Sequence, residues 1–268
     1  MPAESSESAI RRDKEITLPP GLTRRQFIQA GALAAASLLF PPSSVHADSG
    51  RRLLPVPFHY QRHALTCEIA AVRMAAEYHG QTWAEDDLLK LMPLDASQPR
   101  YEDGNLVWAD PNRAFPGNIR GWQLYRGGLE EHPERARRRQ WGYGIHAPAI
   151  ADVAVRIGLA AELFDQVEAA YAAVDLGHVP IVIVPDGGRD QAIKWHWHTP
   201  QGKPVTVLNA EHSVVVRGYD GQMVWVNDPK GKLRTYPRDR FERAFALLRS
   251  GVAIGPACTV THPRFRPI

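Results

Sequence analysis

The chain has two cysteines and eleven histidines, and Cys67 is the residue best placed to act as a nucleophile. It joins an extended lead-in, residues 54–60, to an apolar helical pattern. Thr66 reads as the N-cap, which puts Cys67 at the first helical position and Glu68 in the first turn, where negative charge suits the helix end. Ile69, Val72, Arg73 and Ala76 share one face, and Gly80 is a natural stop. A thiol in that position meets unpaired N–H groups and the positive end of the helix dipole, so its pKa is expected below the usual value of about 8.5. The resulting thiolate is the competent nucleophile. Gln61 lies six residues upstream, and its NH2, with the Cys67 N–H, has the chemistry of an oxyanion donor. The alternative is a packed structural thiol, since free cysteine is among the most buried residue types.

A thiol nucleophile needs a general base that is distant in sequence and close in space. His212 opens a β-branched run to Tyr219, Asp220-Gly221 is a turn signal, and Gln222 to Asp228 reads as the return strand before Pro229. A two-residue turn would put Ser213 opposite Asp228 and leave His212 on the other face. A three-residue loop with Gly221 left-handed would put His212 directly opposite Asp228, with Cβ atoms within about 5 Å. In that register Asp228 can hold the imidazole.

A glutamine, five residues, a cysteine, and then a small-residue-rich helix resemble the papain-like cysteine peptidases. The match is to the branch that contains bacterial double-glycine leader peptidases and their stand-alone relatives, and the later His…Asp-Pro hairpin resembles the same family. The resemblance spans roughly residues 55–236 and implies an α+β papain-like fold: an N-terminal helix bearing the cysteine, packed on a mostly antiparallel sheet bearing the histidine and aspartate. It also implies Cys67 as nucleophile, His212 as general base, Asp228 as its orienter and Gln61 as oxyanion donor, acting on a peptide or protein substrate through a thioester. Glu68 departs from the pattern, because many relatives carry glycine there, and a larger side chain alters the approach to the thiol. Two other functions remain open: acyl or peptidyl transfer through the same thioester, and an inactive binding module on a peptidase scaffold.

The elements that must position these residues follow a signal segment. Arg24-Arg25 precedes a short alanine-rich apolar run, residues 30–40, and Val45-His46-Ala47 offers small residues for cleavage. Residues 1–47 are therefore expected to be a twin-arginine signal peptide, with the twin-arginine machinery as an export partner and an extracytoplasmic catalytic domain over residues 48–268. The apolar run is shorter than the roughly 20 residues of a membrane span. Removing the segment takes five of 32 basic and four of 29 acidic residues and leaves a formal charge of +2. That balance makes no case for nucleic acid or an anionic membrane as partner. Cys258 sits in an apolar run and reads as a bystander, because pairing it with Cys67 would disable the nucleophile.

Helices are expected over residues 67–78, 82–92, 149–157 and 167–176. Residues 179–185 read as a buried strand, and residues 205–208 as the opening strand of the sheet that holds His212. Between them, residues 93–141 are a loop-rich insert with an arginine cluster at 135–139, which reads as a solvated face. Trp195-His196-Trp197-His198 reads as part of a polar loop, its tryptophans candidates for a substrate groove. A three-histidine metal site from His196, His198 and His212, His63 or His59 lacks any clear further ligand, so neither a metal nor a cofactor is expected.

Overall fold

The computed structural model describes residues 51–256. The expected signal segment and Cys258 lie outside them. The central sheet is antiparallel throughout its seven strands: β1 Arg52–Leu53, β2 Ala160–Phe164, β3 Val179–Pro185, β4 Glu211–Tyr219, β5 Met223–Asp228, β6 Lys232–Pro237 and β7 Gly251–Gly255. Their order is β6-β5-β4-β3-β7-β2, and β1 adds to the end of β4. Five helices flank the sheet: α1 Cys67–Tyr78, α2 Glu85–Leu91, α3 Ala147–Arg156, α4 Val167–Asp175 and α5 Arg238–Ala246.

Period-two alternation in β3 and β4 sorts their side chains onto two covered faces. Ile181, Ile183 and Val215 pack with α1 and α3 in one core. Val182, Val184, Val214 and Val216 pack with α4 and α5 in the other. Burial on both faces explains why β3 is an unbroken apolar run. Each such valine or isoleucine contributes about 1.5–3 kcal/mol on leaving water, so this pair of strands is the rigid base of the site.

Two expectations fail beyond the central sheet. The Trp195–His198 stretch is a strand, within Lys194–His198, rather than a polar loop. The Pro204–Leu208 strand pairs with it and does not open the sheet of His212. Together with Asn105–Val107 and Arg100–Glu102 they form a separate four-stranded sheet. Ala210, at φ 52°, is left-handed and turns the chain out of one sheet and into the other, and its carbonyl accepts the Asp186 N–H. The loop-rich segment is therefore half of a module with its own core, in which buried Trp108 and Tyr143 both pack against buried Trp197, with ring centroids 5.3 and 5.1 Å away. Alternating Trp and His in that strand marks one buried and one open face of a small sheet.

Candidate active site

Cys67 is the first residue of α1, as expected, but the cap is different. The Thr66 hydroxyl makes no capping bond and instead donates to Glu85 Oε1 at 2.6 Å. Glu85, fully buried on α2, also accepts the Arg62 N–H on both oxygens at 2.9 and 3.1 Å. A charge-assisted anchor outcompetes a local cap, and it fixes residues 62–66, the loop between Gln61 and Cys67. The Gln61 N–H bonds to the Pro229 carbonyl at 2.9 Å and ties the same loop to the end of β5.

The β4–β5 hairpin adopts neither anticipated register. Residues 220–223 form a four-residue turn in which Asp220 Oδ1 accepts the Gln222 and Met223 N–H groups, each at 2.7 Å. Gly221 is not left-handed. Tyr219 pairs with Val224 and Gly218 with Trp225, and then Arg217 bulges out, so that Val216 pairs with Val226 and Val215 with Asn227. Continued, this register sets Asp228 across from Val214, two residues from His212 on the same face, rather than opposite His212 itself. Without the extra residue, Asp228 would fall opposite Val215 and face away. The bulge requires Gly218, because a Cβ there would run into Arg52 O and Leu53 Cα of the adjoining β1.

With parity restored, His212 Nε2 and Asp228 Oδ1 lie 2.6 Å apart. Asp228 also accepts the Lys230 N–H at 2.9 Å, and Arg234 Nε stands 2.6 Å from its other oxygen as an ion pair without a hydrogen-bonding angle. Burial pushes the Asp228 pKa up, but the His212 bond and charge, the Lys230 N–H and Arg234 together hold it below the usual carboxylate value. Asp186 joins the cluster through Lys230, 2.9 Å away.

The nucleophile's surroundings differ from the expectation. The backbone N–H of Ser213, next to His212, acts on the Cys67 thiol in the direction that lowers its pKa. Its thiol donates to Glu68 Oε2 at 3.3 Å, and His212 Nδ1 is buried with no partner. Burial, then Glu68, then Glu211 push the Cys67 pKa well above its ordinary value. The predicted lowering is overturned: two carboxyl groups in a dry site outweigh a helix N-terminus. Gln61 does not point its NH2 at a reaction centre, since both protons go to the His63 and Ala64 carbonyls at 2.8 and 2.9 Å. Cys67 is 6% and His212 1% exposed, so the site is closed. Two open clefts of about 460 and 480 Å³ are lined by neither residue.

Sequence reasoning missed Glu211, Gly144 and Glu85. The Glu211 signal was adjacency to His212, and that of Gly144 was the Gly142-Tyr143-Gly144 segment. Glu85 carried no signal, because acids in a first helical turn are ordinary. Among the described residues, Asp186, His212 and Asp228 form the one three-residue group with ligand atoms within 4.8 Å of one another. Lys230 and Arg234 already neutralise its carboxylates, which disfavours a cation there. His59 and His63 bond to Glu77 and Asp86 and do not join His196 or His198.

The model of the Peptidase_C39 like family matches residues 53–252, three quarters of the chain. This chain belongs to that family. Membership of the Peptidase_C39 like family carries a cysteine peptidase-like function. Over 59 residues the chain is 41% identical to the uncharacterized protein YvpB of Bacillus subtilis (strain 168), a stretch covering 22% of this chain and 23% of that protein. Among solved structures, a C39-like peptidase candidate from Bacillus anthracis matches with TM-score 0.59 and 23% identity, covering 76% of this chain and 97% of that one. It shares the α+β papain-like peptidase fold, with the cysteine helix packed on the antiparallel sheet. The peptidase domain of Streptococcus ComA is similar at TM-score 0.43 and 14% identity, over 75% of this chain and 98% of that one.

Proposed function

We propose that this chain is an exported thiol hydrolase that cleaves a peptide bond, with Cys67 as nucleophile, His212 as general base and Asp228 as its orienter. The observation that carries this reading is the 2.6 Å bond between His212 Nε2 and Asp228 Oδ1, together with a cysteine at the start of α1. Asp228 holds the Nε2 proton and leaves Nδ1 free to receive the proton from Sγ. The thiolate attacks the carbonyl carbon, the C–N bond breaks, and the imidazolium protonates the leaving amine. Water then hydrolyses the thioester with His212 as base. The Cys67 N–H, without an intrahelical partner at the first helical position, is the nearest oxyanion donor. Gln61 joins it once its amide leaves the His63 and Ala64 carbonyls. The substrate is a peptide or protein, in keeping with a related double-glycine motif protease solved in complex with a leader peptide.

Incubation of residues 48–268 with a proteome-derived peptide library tests this. Cleavage products should appear with the native protein and vanish with Cys67→Ala. Equal product from both proteins would end the reading.

A further inference from the structure

Two buried carboxyl groups beside the thiol are not used by the mechanism above. Glu68 and Glu211 are 0% and 1% exposed. They converge on Gly144, where any Cβ would run into both Glu68 Oε1 and Glu211 Oε2. Glu68 Oε1 accepts the Ile145 N–H at 2.7 Å, and Glu68 Oε2 accepts the Cys67 thiol at 3.3 Å. Gln123 Nε2 reaches Glu211 Oε2 at 3.3 Å, while Glu211 Oε1 is buried with no partner. An ionised carboxylate cannot leave an oxygen bare in a dry site without a cost of several kcal/mol, and two carboxylates this close cannot both ionise.

We propose that Glu68 is a further catalytic residue: it holds the Cys67 thiol in the resting site, and proton uptake by the Glu68–Glu211 pair releases that thiol to His212. This rests on Cys67 being the nucleophile. With Glu68 ionised, Sγ–H donates to Oε2, and a thiolate beside that carboxylate is disfavoured. When Glu68 takes a proton from solvent, an O–H bond forms and the carboxyl becomes a donor to sulfur. The thiol proton then passes from Sγ to His212 Nδ1, which is free to accept it. The result is a thiolate and imidazolium beside a neutral pair.

The surroundings agree with this assignment. On the 141–146 segment, Tyr143 is held neutral, its pKa pushed up by burial and then by Glu211. Gln123 brings only an amide. From β4 come Glu211, His212 and the Ser213 N–H. Lys230, beyond β5, is the cation that acts on Cys67, Glu68 and Glu211, and it is partly exposed and paired with Asp186. Burial raises Glu68 to about 7 and pushes Glu211 well above the usual carboxylate range, so the pair retains a proton at neutral pH.

The test is the rate of iodoacetamide labelling against pH, read on the Cys67 peptide by mass spectrometry in the folded protein. Glu68→Gln keeps an acceptor for the Ile145 N–H and removes the charge. It should label at least tenfold faster than wild type at pH 8 and within about threefold of it at pH 5. Glu211→Gln should shift the profile in the same sense, and it carries the test should Glu68→Gln not fold. Unchanged profiles in the folded variants, or slower labelling at pH 8, would overturn the proposal. Labelling is independent of turnover: a protein that cleaves no peptide but shows the predicted rates fails as a peptidase while retaining this carboxyl control.

Discussion

Glu68 lets burial and charge be weighed at a single residue. Its carboxyl is pushed up to about 7, first by burial, whereas an unfolded glutamate titrates near 4.3. The native state therefore binds more protons between those values. Its contribution to stability is full below about 4.3 and is lost as pH rises through about 7. Glu68→Gln escapes that loss, a change on the order of 1–3 kcal/mol. Its melting temperature should exceed that of wild type by roughly 3–10 °C at pH 8, with the gap closing toward pH 5. A variant that melts below wild type at pH 8 would show that the charge is tolerated. Asp228 works in the opposite sense, since its lowered pKa stabilises above the usual carboxylate range and is lost in acid.

Between elements, one anchor and one bulge set the site. Glu85 ties α2 to the loop before Cys67 through the Arg62 N–H and the Thr66 hydroxyl. Glu85→Ala takes the acceptor from the part-buried Arg62 N–H and leaves the buried Thr66 hydroxyl only the His63 carbonyl at 3.3 Å, at about 1–3 kcal/mol in all. Denaturant melts should show a loss of that order, and native-state hydrogen exchange should show loosening centred on residues 61–67. Stability and exchange matching wild type would mean that the loop is held by other contacts. The bulge at Arg217 acts through parity. Deleting Arg217 should turn Asp228 to the opposite face and break its bond to His212, which a crystal structure of the variant or the imidazole NMR shifts would reveal. A retained bond would show that the strand slips to compensate.

For the whole molecule, the open question is where it works. Among the described residues no helix is long and apolar enough to cross a membrane. The paired Arg24 and Arg25, the short apolar run and the small residues at 45–47 motivate export by the twin-arginine route. Replacing both arginines with lysine should trap full-length precursor in the cytoplasm, seen by fractionation and blotting. Normal appearance of the mature form outside would refute that route.

Much of the fold is local in origin and was legible in the chain. The apolar stripe after Cys67, the β-branched runs 179–185 and 212–219, and the spacing of His212 from Asp228 already specify a cysteine helix on an antiparallel sheet with three candidate residues. The remaining features depended on contacts between distant segments. Hairpin register hung on one bulge, which β1 and Gly218 impose and no turn signal encodes. Trp195 to His198 became a strand because Asn105–Val107 and Pro204–Leu208 lay ready to pair with it. The protonation of Cys67 was decided by burial and by Glu211, 144 residues away in sequence and adjacent to the same site in the fold. A helix N-terminus is readable from neighbouring residues, but desolvation and a distant carboxyl exist only once the chain has closed on itself.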